Sequence, residues 1–271
     1  MTMPELPDVE VFRKYLRSRA LHRCIRTIQV LTPRLVQNVG VKSLQRRLQG
    51  RQFVSTQRHG KYLFLRLDRG GWLLLHFGMT GYPVVSKDLV CSSDHAHLRI
   101  QFSDGRTFAY FDPRKLGRIG LVNEPSELIR AKNLGPDART VDRVQFRRQL
   151  QQKKAHAKAA LMDQQTLAGI GNVYADEILF RAGVSPLARL TDATRATWNV
   201  LYRAMQHVWK EAIRKGADPS HLPRTYLLPH RHPGGHCPRC HRPLRTIKVH
   251  GRTTYYCPRD QRSVNRKDSR Q

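Results

Sequence analysis

Three cysteines and an aspartate near the carboxyl end of the chain have the spacing of metal ligands. Cys237 and Cys240 form a Cys-x-x-Cys knuckle, and after sixteen intervening residues Cys257 and Asp260 repeat that spacing. A β-hairpin between two such knuckles brings four ligands around one tetrahedral zinc ion, as in a zinc ribbon. We therefore predict one structural Zn²⁺ site with these four residues as ligands.

The fourth ligand and the metal itself have alternatives. A carboxylate can bind zinc, but any of three nearby histidines, His236, His241 or His250, would also serve. A ribbon that folds by hydrophobic packing without metal is a further alternative, although three thiols in register favour a metal site. The total of five cysteines is odd, which argues against a disulfide framework, and we expect Cys24 and Cys91 to be ordinary thiols.

The charge of the chain indicates the kind of partner. The 271 residues include 49 Lys and Arg but only 20 Asp and Glu, so the net charge is +29. A folded protein this basic repels itself unless a polyanion neutralises it, and nucleic acid is the leading candidate. The longest apolar run, residues 72–77, is too short to span a membrane. The first eight residues lack the features of a signal peptide, so we expect a cytoplasmic protein.

The hydrophobic pattern predicts an α+β fold with several domains. A helix over residues 8–21 is followed, within residues 25–122, by short apolar segments between glycine-containing turns, which is typical of a β-sandwich. From residue 125 onward the period becomes helical. The predicted helices are residues 126–132, 141–152, 155–164, 173–182 and 194–215, with Asn172 as an N-cap and Gly183 as a helix stop.

These elements suggest four regions along the chain. We expect an N-terminal β-sandwich domain over residues 1–124 and a helical domain over residues 125–235. A zinc-ribbon-like finger over residues 236–263 and a basic tail over residues 264–271 complete the chain.

Three motifs, in this order along the chain, resemble those of the formamidopyrimidine-DNA glycosylase and endonuclease VIII family. They are PELPDVE at residues 4–10, GIGNVYA at residues 169–175, and the cysteine ribbon. The resemblance extends from Pro4 to about Gln261. It implies that the β-sandwich over residues 1–124 is the catalytic domain and that the helical domain over residues 125–235 is a DNA-binding helix-two-turn-helix domain. It also implies a monomeric bacterial enzyme that acts on damaged double-stranded DNA near the nucleoid. Such an enzyme removes an oxidised or ring-opened base and then cleaves the abasic strand by β- and δ-elimination.

The resemblance also implies the catalytic residues. Pro4 matches the family's nucleophile, a secondary amine at the chain terminus, which is chemically reasonable because a terminal amine titrates near ~8 rather than near ~10.4 as lysine does. The iminium formed from proline has no N–H to lose and stays cationic. Glu5 matches a general acid that assists opening of the sugar ring, and Lys61 matches an active-site lysine beside the lesion.

Other positions match residues that the family uses to hold DNA. Met79, Arg114 and Leu116 match the three side chains that fill the space of an extruded base, although the family usually has phenylalanine at the position of Leu116. The two histidines of a His-x-His pair are interpreted equally well as phosphate contacts or as packing residues. These two histidines are His95 and His97. The remaining DNA-binding candidates are Lys158, Asn172, Glu177 and Arg252.

Two further features depart from the family pattern. Three residues precede Pro4, and an amide nitrogen inside a chain is not a nucleophile, so we expect translation to start at Met3 and Met3 to be removed; otherwise the amine of Thr2 is the nearest substitute. The segment of residues 218–232 is short and proline-rich where family members specific for 8-oxoguanine carry a longer loop. We therefore expect weak discrimination in favour of 8-oxoguanine.

Two other functions also fit part of the sequence. A damaged-DNA-binding homologue without a free proline would keep the fold and the DNA contacts but lack catalysis. A basic zinc-ribbon protein acting on RNA or ribosomes would account for the charge and the cysteines, but it gives no role to Pro4 or Glu5.

Overall fold

The computed structural model describes residues 3–87 and 95–264, which form two compact units. The first unit consists of residues 8–133 with residues 3 and 4, and the second consists of residues 5–7 and of the described chain from residue 134 onward. The predictions for Thr2, for Cys91 and for most of the basic tail fall outside the described residues.

The first unit is built from two β-sheets. Its described residues contain nine strands, β1 to β9, and three α-helices, α1 to α3. A five-stranded sheet has the order β2 (Val36–Gln37), β9 (Arg118–Val122), β5 (Trp72–His76), β4 (Tyr62–Leu67) and β3 (Phe53–His59). A four-stranded sheet has the order β1 (Ile25–Val30), β7 (Ala96–Phe102), β8 (Thr107–Phe111) and β6 (Tyr82–Ser86). Of the pairs between these strands only β2 with β9 is parallel.

Alternation of apolar and polar residues explains why the two sheets pack face to face. Leu98, Ile100 and Phe102 of β7 are all buried, and they belong to one hydrophobic core with Leu63 and Leu65 of β4 in the other sheet. Side chains two apart lie on the same face of a strand, so each sheet presents one apolar face to the other. This packing confirms the predicted β-sandwich.

The helices of the first unit include one that the sequence analysis did not predict. Helix α1 (Leu6–Arg19) follows the prediction, and its Val9 and Leu16 enter the sandwich core. Helix α2 (Val41–Leu48) lies in a region that was interpreted only as strands. Only Leu44 and Leu48 of α2 are buried, and a single pair four residues apart is too little to show a helical period. Helix α3 (Pro125–Ala131) lies within the first unit, whose boundary is at residues 133 and 134.

The second unit is helical and ends in a β-hairpin. Its elements are α4 (Arg143–Gln151), α5 (Ala157–Met162), α6 (Asn172–Ala182), α7 (Arg195–Arg214), β10 (Arg245–Val249) and β11 (Arg252–Tyr256). Helix α7 follows the prediction, and its Trp198, Leu201 and Met205 are buried in the hydrophobic core of this unit. Among the described helices, none is long and apolar enough to cross a membrane.

Helix α6 differs by one residue from the prediction at its start and agrees at its end. Gly171 is the N-cap, and Asn172 is the first helical residue rather than the cap. At the other end Gly183 has φ +68°, a left-handed conformation that glycine adopts without the steric cost of a Cβ, and it terminates the helix as predicted.

Candidate functional site

The carboxylate of Glu5 is held at the amino end of helix α6. It is 1% exposed and accepts hydrogen bonds from the backbone N–H groups of Gly171 (2.8 Å), Val173 (2.9 Å) and Tyr174 (3.3 Å). These groups would otherwise lack partners inside the helix, and the helix dipole favours a negative charge there. Glu5 therefore replaces a conventional capping residue and is fixed in position and orientation.

The two glycines of the GIGN motif make room for this arrangement. A Cβ on Gly171 would overlap the carboxylate of Glu5. Gly169 has φ +114° and lies against Leu6, whose N–H donates to the Gly169 carbonyl at 3.1 Å. Pro4, which directly precedes Glu5 in the chain, is also buried. The N-terminal and GIGN motifs, far apart in sequence, thus meet through residues 5 and 6.

Lys61 lies in the first unit at the start of β4, beside a histidine that the sequence analysis missed. The His76 ring packs against the Tyr62 ring at a centroid distance of 4.8 Å. Burial, together with the positive charges of Lys61, Arg118 and Lys132, lowers the pKa of His76 to about 4. His76 is therefore neutral at neutral pH. Its cationic surroundings come from separate segments of the chain, so the local sequence gave no signal for it.

The three candidates for filling the space of an extruded base lie on two loops that are joined by one carboxylate. Asp112 accepts from the Thr80 hydroxyl at 2.6 Å and from the Gly117 N–H at 2.6 Å, and the Arg114 N–H donates to the Thr80 hydroxyl at 3.1 Å. The structure thereby brings the loop of Met79 next to the loop of Arg114 and Leu116. Leu116 is 48% exposed, so its side chain is available for contact with a partner.

The two histidines of the His-x-His pair have different surroundings. His97 is buried, and its Nδ1 and Nε2 atoms lie 2.8 Å from the Thr32 hydroxyl and 2.8 Å from the Asp112 carbonyl. Both ring nitrogens are therefore used inside the first unit, as in a packing role. His95 is exposed and remains a candidate for a phosphate contact.

Lys158 is buried in an ion-pair network in the second unit. Its Nζ lies 2.6 Å from Asp176 of α6 and donates to the Thr254 hydroxyl at 2.7 Å. Asp176 also pairs with Arg231 at 2.8 Å and accepts from the Tyr255 N–H at 3.3 Å. The Lys158 side chain has 0% exposure, so its ammonium group is not accessible to solvent. The network instead ties α5 and α6 to strand β11.

The remaining DNA-binding candidates range from exposed to fully buried. Arg252 is exposed at the start of β11, after the turn at Gly251, and Asn172 is partly exposed in the first turn of α6. Glu177 is 0% exposed and accepts from the Leu228 N–H at 2.9 Å. Burial raises the pKa of Glu177 to about 8. Arg252 and Asn172 are thus accessible to DNA, whereas Glu177 is an interior residue.

The predicted metal ligands converge at the base of the β10–β11 hairpin. The ligand atoms of Cys237, Cys240, Cys257 and Asp260 all lie within 4.8 Å of one another. The Asp260 carboxylate lies 3.0 Å from the Cys237 sulfur, and the sulfurs of Cys240 and Cys257 are 3.4 Å apart. Thiolates around tetrahedral zinc are about 3.8 Å apart, given Zn–S bonds of ~2.3 Å. The donor set therefore fits a structural zinc ion.

Known families match the chain in three consecutive parts. The formamidopyrimidine-DNA glycosylase N-terminal domain matches residues 3–119, and the H2TH domain of the same protein matches residues 134–223. The zinc finger found in FPG and IleRS matches residues 234–262.

Individual proteins of this family resemble the chain over nearly its whole length. The formamidopyrimidine-DNA glycosylase of Pelotomaculum thermopropionicum is 31% identical over 94% of this chain and 98% of the relative. That of Thermus thermophilus is 33% identical over 94% of this chain and 97% of the relative. A solved complex of Lactococcus lactis Fpg with DNA containing an abasic site has a TM-score of 0.86 at 28% identity, covering 96% of this chain and 100% of that chain.

The fold, the site and these matches define a DNA glycosylase of base-excision repair. The chain belongs to the formamidopyrimidine-DNA glycosylase family, which confirms the resemblance inferred from its motifs.

Proposed function

We propose that this protein is a bifunctional enzyme that removes oxidised or ring-opened bases from double-stranded DNA and then cleaves the strand at the abasic site. The observation that carries this proposal is the fixed carboxylate of Glu5, which directly follows Pro4 and accepts three backbone hydrogen bonds at the start of α6. Preorganised donors of this kind hold a reacting group in place without further cost during the reaction.

In the proposed reaction the Pro4 nitrogen attacks C1′ of the damaged nucleotide. The C1′–N bond to the base breaks, and the base leaves with that electron pair and takes up a proton. The Glu5 carboxylate takes up the proton that the attacking Pro4 nitrogen loses and passes it to the ring oxygen as the sugar ring opens, which leaves a cationic iminium between Pro4 and C1′. Loss of a proton from C2′ then expels the 3′ phosphate, and a second elimination expels the 5′ phosphate.

We assign the DNA contacts to residues that the solvent reaches. Met79, Arg114 and Leu116, on the two loops joined by Asp112, would enter the duplex when the base is extruded. Asn172 and Arg252 would hold phosphates in the second unit. Lys61 and the neutral His76 would act beside the lesion, where His76 can donate or accept a hydrogen bond without adding charge.

We propose that zinc is bound by three cysteines and Asp260. His236, His241 and His250 are exposed, whereas Asp260 lies within hydrogen-bonding distance of two of the sulfurs. A structural zinc ion supplies folding free energy and no reaction step. It would hold the hairpin that carries Arg252.

The catalytic proposal requires that Pro4 be the first residue of the active protein. We expect borohydride to trap a covalent adduct between abasic duplex DNA and a protein that begins at Pro4, because hydride reduces the iminium to a stable amine. Intact mass establishes the first residue, and peptide mapping locates the adduct.

The matched control is a preparation that retains residues 1–3, which we expect to give no adduct at Pro4. If the protein that begins at Pro4 binds the lesion but forms no adduct, it is a damaged-DNA binder and the proposed mechanism is wrong. An adduct on Thr2 in the longer preparation would move the nucleophile to that amine.

The segment of residues 218–232 leads us to propose weak discrimination in favour of 8-oxoguanine. Three consecutive residues of this segment, Tyr226, Leu227 and Leu228, are buried in the second unit. His230 also bonds the Arg224 carbonyl at 2.8 Å within the segment. A segment anchored in this way has little chain left to close over an extruded base.

We expect single-turnover excision of a formamidopyrimidine or an oxidised pyrimidine to be faster than excision of 8-oxoguanine opposite cytosine. A duplex with an undamaged base at the same position serves as the control. Excision of 8-oxoguanine as fast as any other lesion would contradict the proposal while leaving the glycosylase function intact.

A further inference from the structure

A groove of about 550 Å³ lies between helix α4 and the first turn of helix α7 in the second unit. Arg143, Arg147 and Arg148 of α4 and Arg195 of α7 line it, and all four side chains are exposed. None of the candidate residues for catalysis, DNA binding or zinc is among those that line this groove. The groove therefore has no role in the function described so far.

The four arginines of this groove concentrate positive charge, and the structure pairs none of them with a carboxylate in the described part of the chain. Among the described residues that line the groove none is acidic. Asp142, next to Arg143 in sequence, caps α4 by accepting from the Gln145 N–H at 2.8 Å. The Arg147 Nε–H donates to the Gln151 side chain at 2.9 Å. Guanidinium groups bind carboxylates in a bidentate manner through pairs of N–H donors.

The positions of two of these arginines are unfavourable for folding. Arg143 and Arg195 are the first residues of α4 and α7, where the helix dipole disfavours a cation. Arg143 and Arg147 are also like charges four residues apart on one helix. Local helix stability therefore does not explain this charge, whereas an anionic ligand does.

An apolar side chain among the arginines distinguishes the kind of anion. Val144 is 77% exposed, which is the largest exposed fraction of any large hydrophobic residue in the described part of the chain. Trp198 lines the same groove. A phosphate backbone gains nothing from an exposed valine, whereas a peptide can pack an aliphatic side chain on it. We propose that this groove docks an acidic segment of a partner protein, with an aliphatic side chain against Val144 and carboxylates on the arginines.

Two labelled peptides test this proposal on the full chain by fluorescence anisotropy. One probe alternates aspartate and glutamate with leucine, and the other has serine in place of leucine and therefore the same charge. We expect the leucine probe to bind about tenfold more tightly, because leucine buries apolar surface in the groove. Equal binding of the two probes would overturn the proposal.

Two pairs of variants locate the binding. Val144→Asn should remove the advantage of the leucine probe, whereas Val200→Asn, which changes an exposed valine outside the lining of the groove, should keep it. Arg143→Glu with Arg195→Glu should weaken both probes by about tenfold or more relative to Arg203→Glu with Lys210→Glu. The helix dipole favours glutamate at residues 143 and 195, which begin their helices, so unfolding would not explain such a loss of binding.

Nucleic acid is the other anion that these arginines could attract. Undamaged duplex DNA is therefore measured with the same variants. If Arg143→Glu with Arg195→Glu weakens the duplex more than the control pair does, and Val144→Asn has no effect on either peptide, the groove binds nucleic acid and the proposal is wrong.

Discussion

Glu5 combines two roles that usually belong to different residues. It is the candidate general acid, and its carboxylate also accepts the backbone N–H groups at the start of α6. The sequence motif predicted the first role by resemblance. The second depends on residues 171–174, more than 160 positions away, and only the folded chain brings them to Glu5. A substitution of Glu5 therefore affects the helix as well as the reaction.

Glu177 leads to a prediction about pH and stability. Its folded-state pKa is raised by burial from 4.5 to about 8, so between these values the folded protein binds a proton that the unfolded chain has lost. Stability therefore falls as the pH rises from about 4.5 to about 8. The ionised side chain costs on the order of 5 kcal/mol at higher pH.

Glu177→Gln should remove this pH dependence. Relative to the wild type, we expect the variant to gain several kcal/mol in the free energy of unfolding between about pH 5 and pH 8.5, measured by urea denaturation. Asp192→Asn, at an exposed acid of the same unit, is the matched control and should show no such gain. A constant difference between Glu177→Gln and the wild type across this range would contradict the prediction.

Some candidate residues were predictable in identity but not in environment. The Cys-x-x spacing predicted the metal cluster because neighbouring residues in a knuckle supply its ligands. The positions of Lys158 and Glu177 were predicted from motifs, but their burial was not, because Asp176, Thr254 and Leu228 come from other elements. His76 was missed for the same reason.

Helix α6 is the element that connects the parts of the second unit. Glu5 binds its first turn, Asp176 joins its middle to strand β11, and Gly183 ends it. The hairpin carrying Arg252 is therefore positioned by two independent means, the cysteine cluster at its base and the Asp176 network at β11.

Asp176→Asn should destabilise the second unit by about 3–5 kcal/mol, because it leaves the Lys158 charge buried without its partner. It should also weaken DNA binding through Arg252. Adding Lys158→Met should recover part of the lost stability, since the unpaired charge is then removed. Urea denaturation of the single and double variants measures this coupling, and additive losses would show that the two residues do not stabilise each other.

The elements that sequence predicted well have long, regular patterns. The sandwich strands alternate, and α7 has five turns with one apolar stripe. Helix α2 was not predicted, because a helix with only two buried leucines carries too little pattern of its own.

At the scale of the whole molecule the charge of +29 divides into a few assigned contacts and a general attraction for DNA. Arg252→Gln should reduce the slope of log affinity against log salt by about 0.9, and it should weaken damaged and undamaged duplexes equally.

Leu116→Ala should weaken only the damaged duplex and leave the slope unchanged, because it removes no charge. Anisotropy titrations over roughly 50 to 200 mM KCl measure both effects. An unchanged slope in Arg252→Gln would exclude a phosphate contact by that residue.

Gly171 has a consequence for how this enzyme tolerates mutation. Any other residue would place a Cβ where the carboxylate of Glu5 lies, so every missense change in its codon, including alanine, displaces the candidate catalytic acid. A genetic screen for loss of repair would count Gly171 among the essential positions, although it has no side chain to contribute to the reaction.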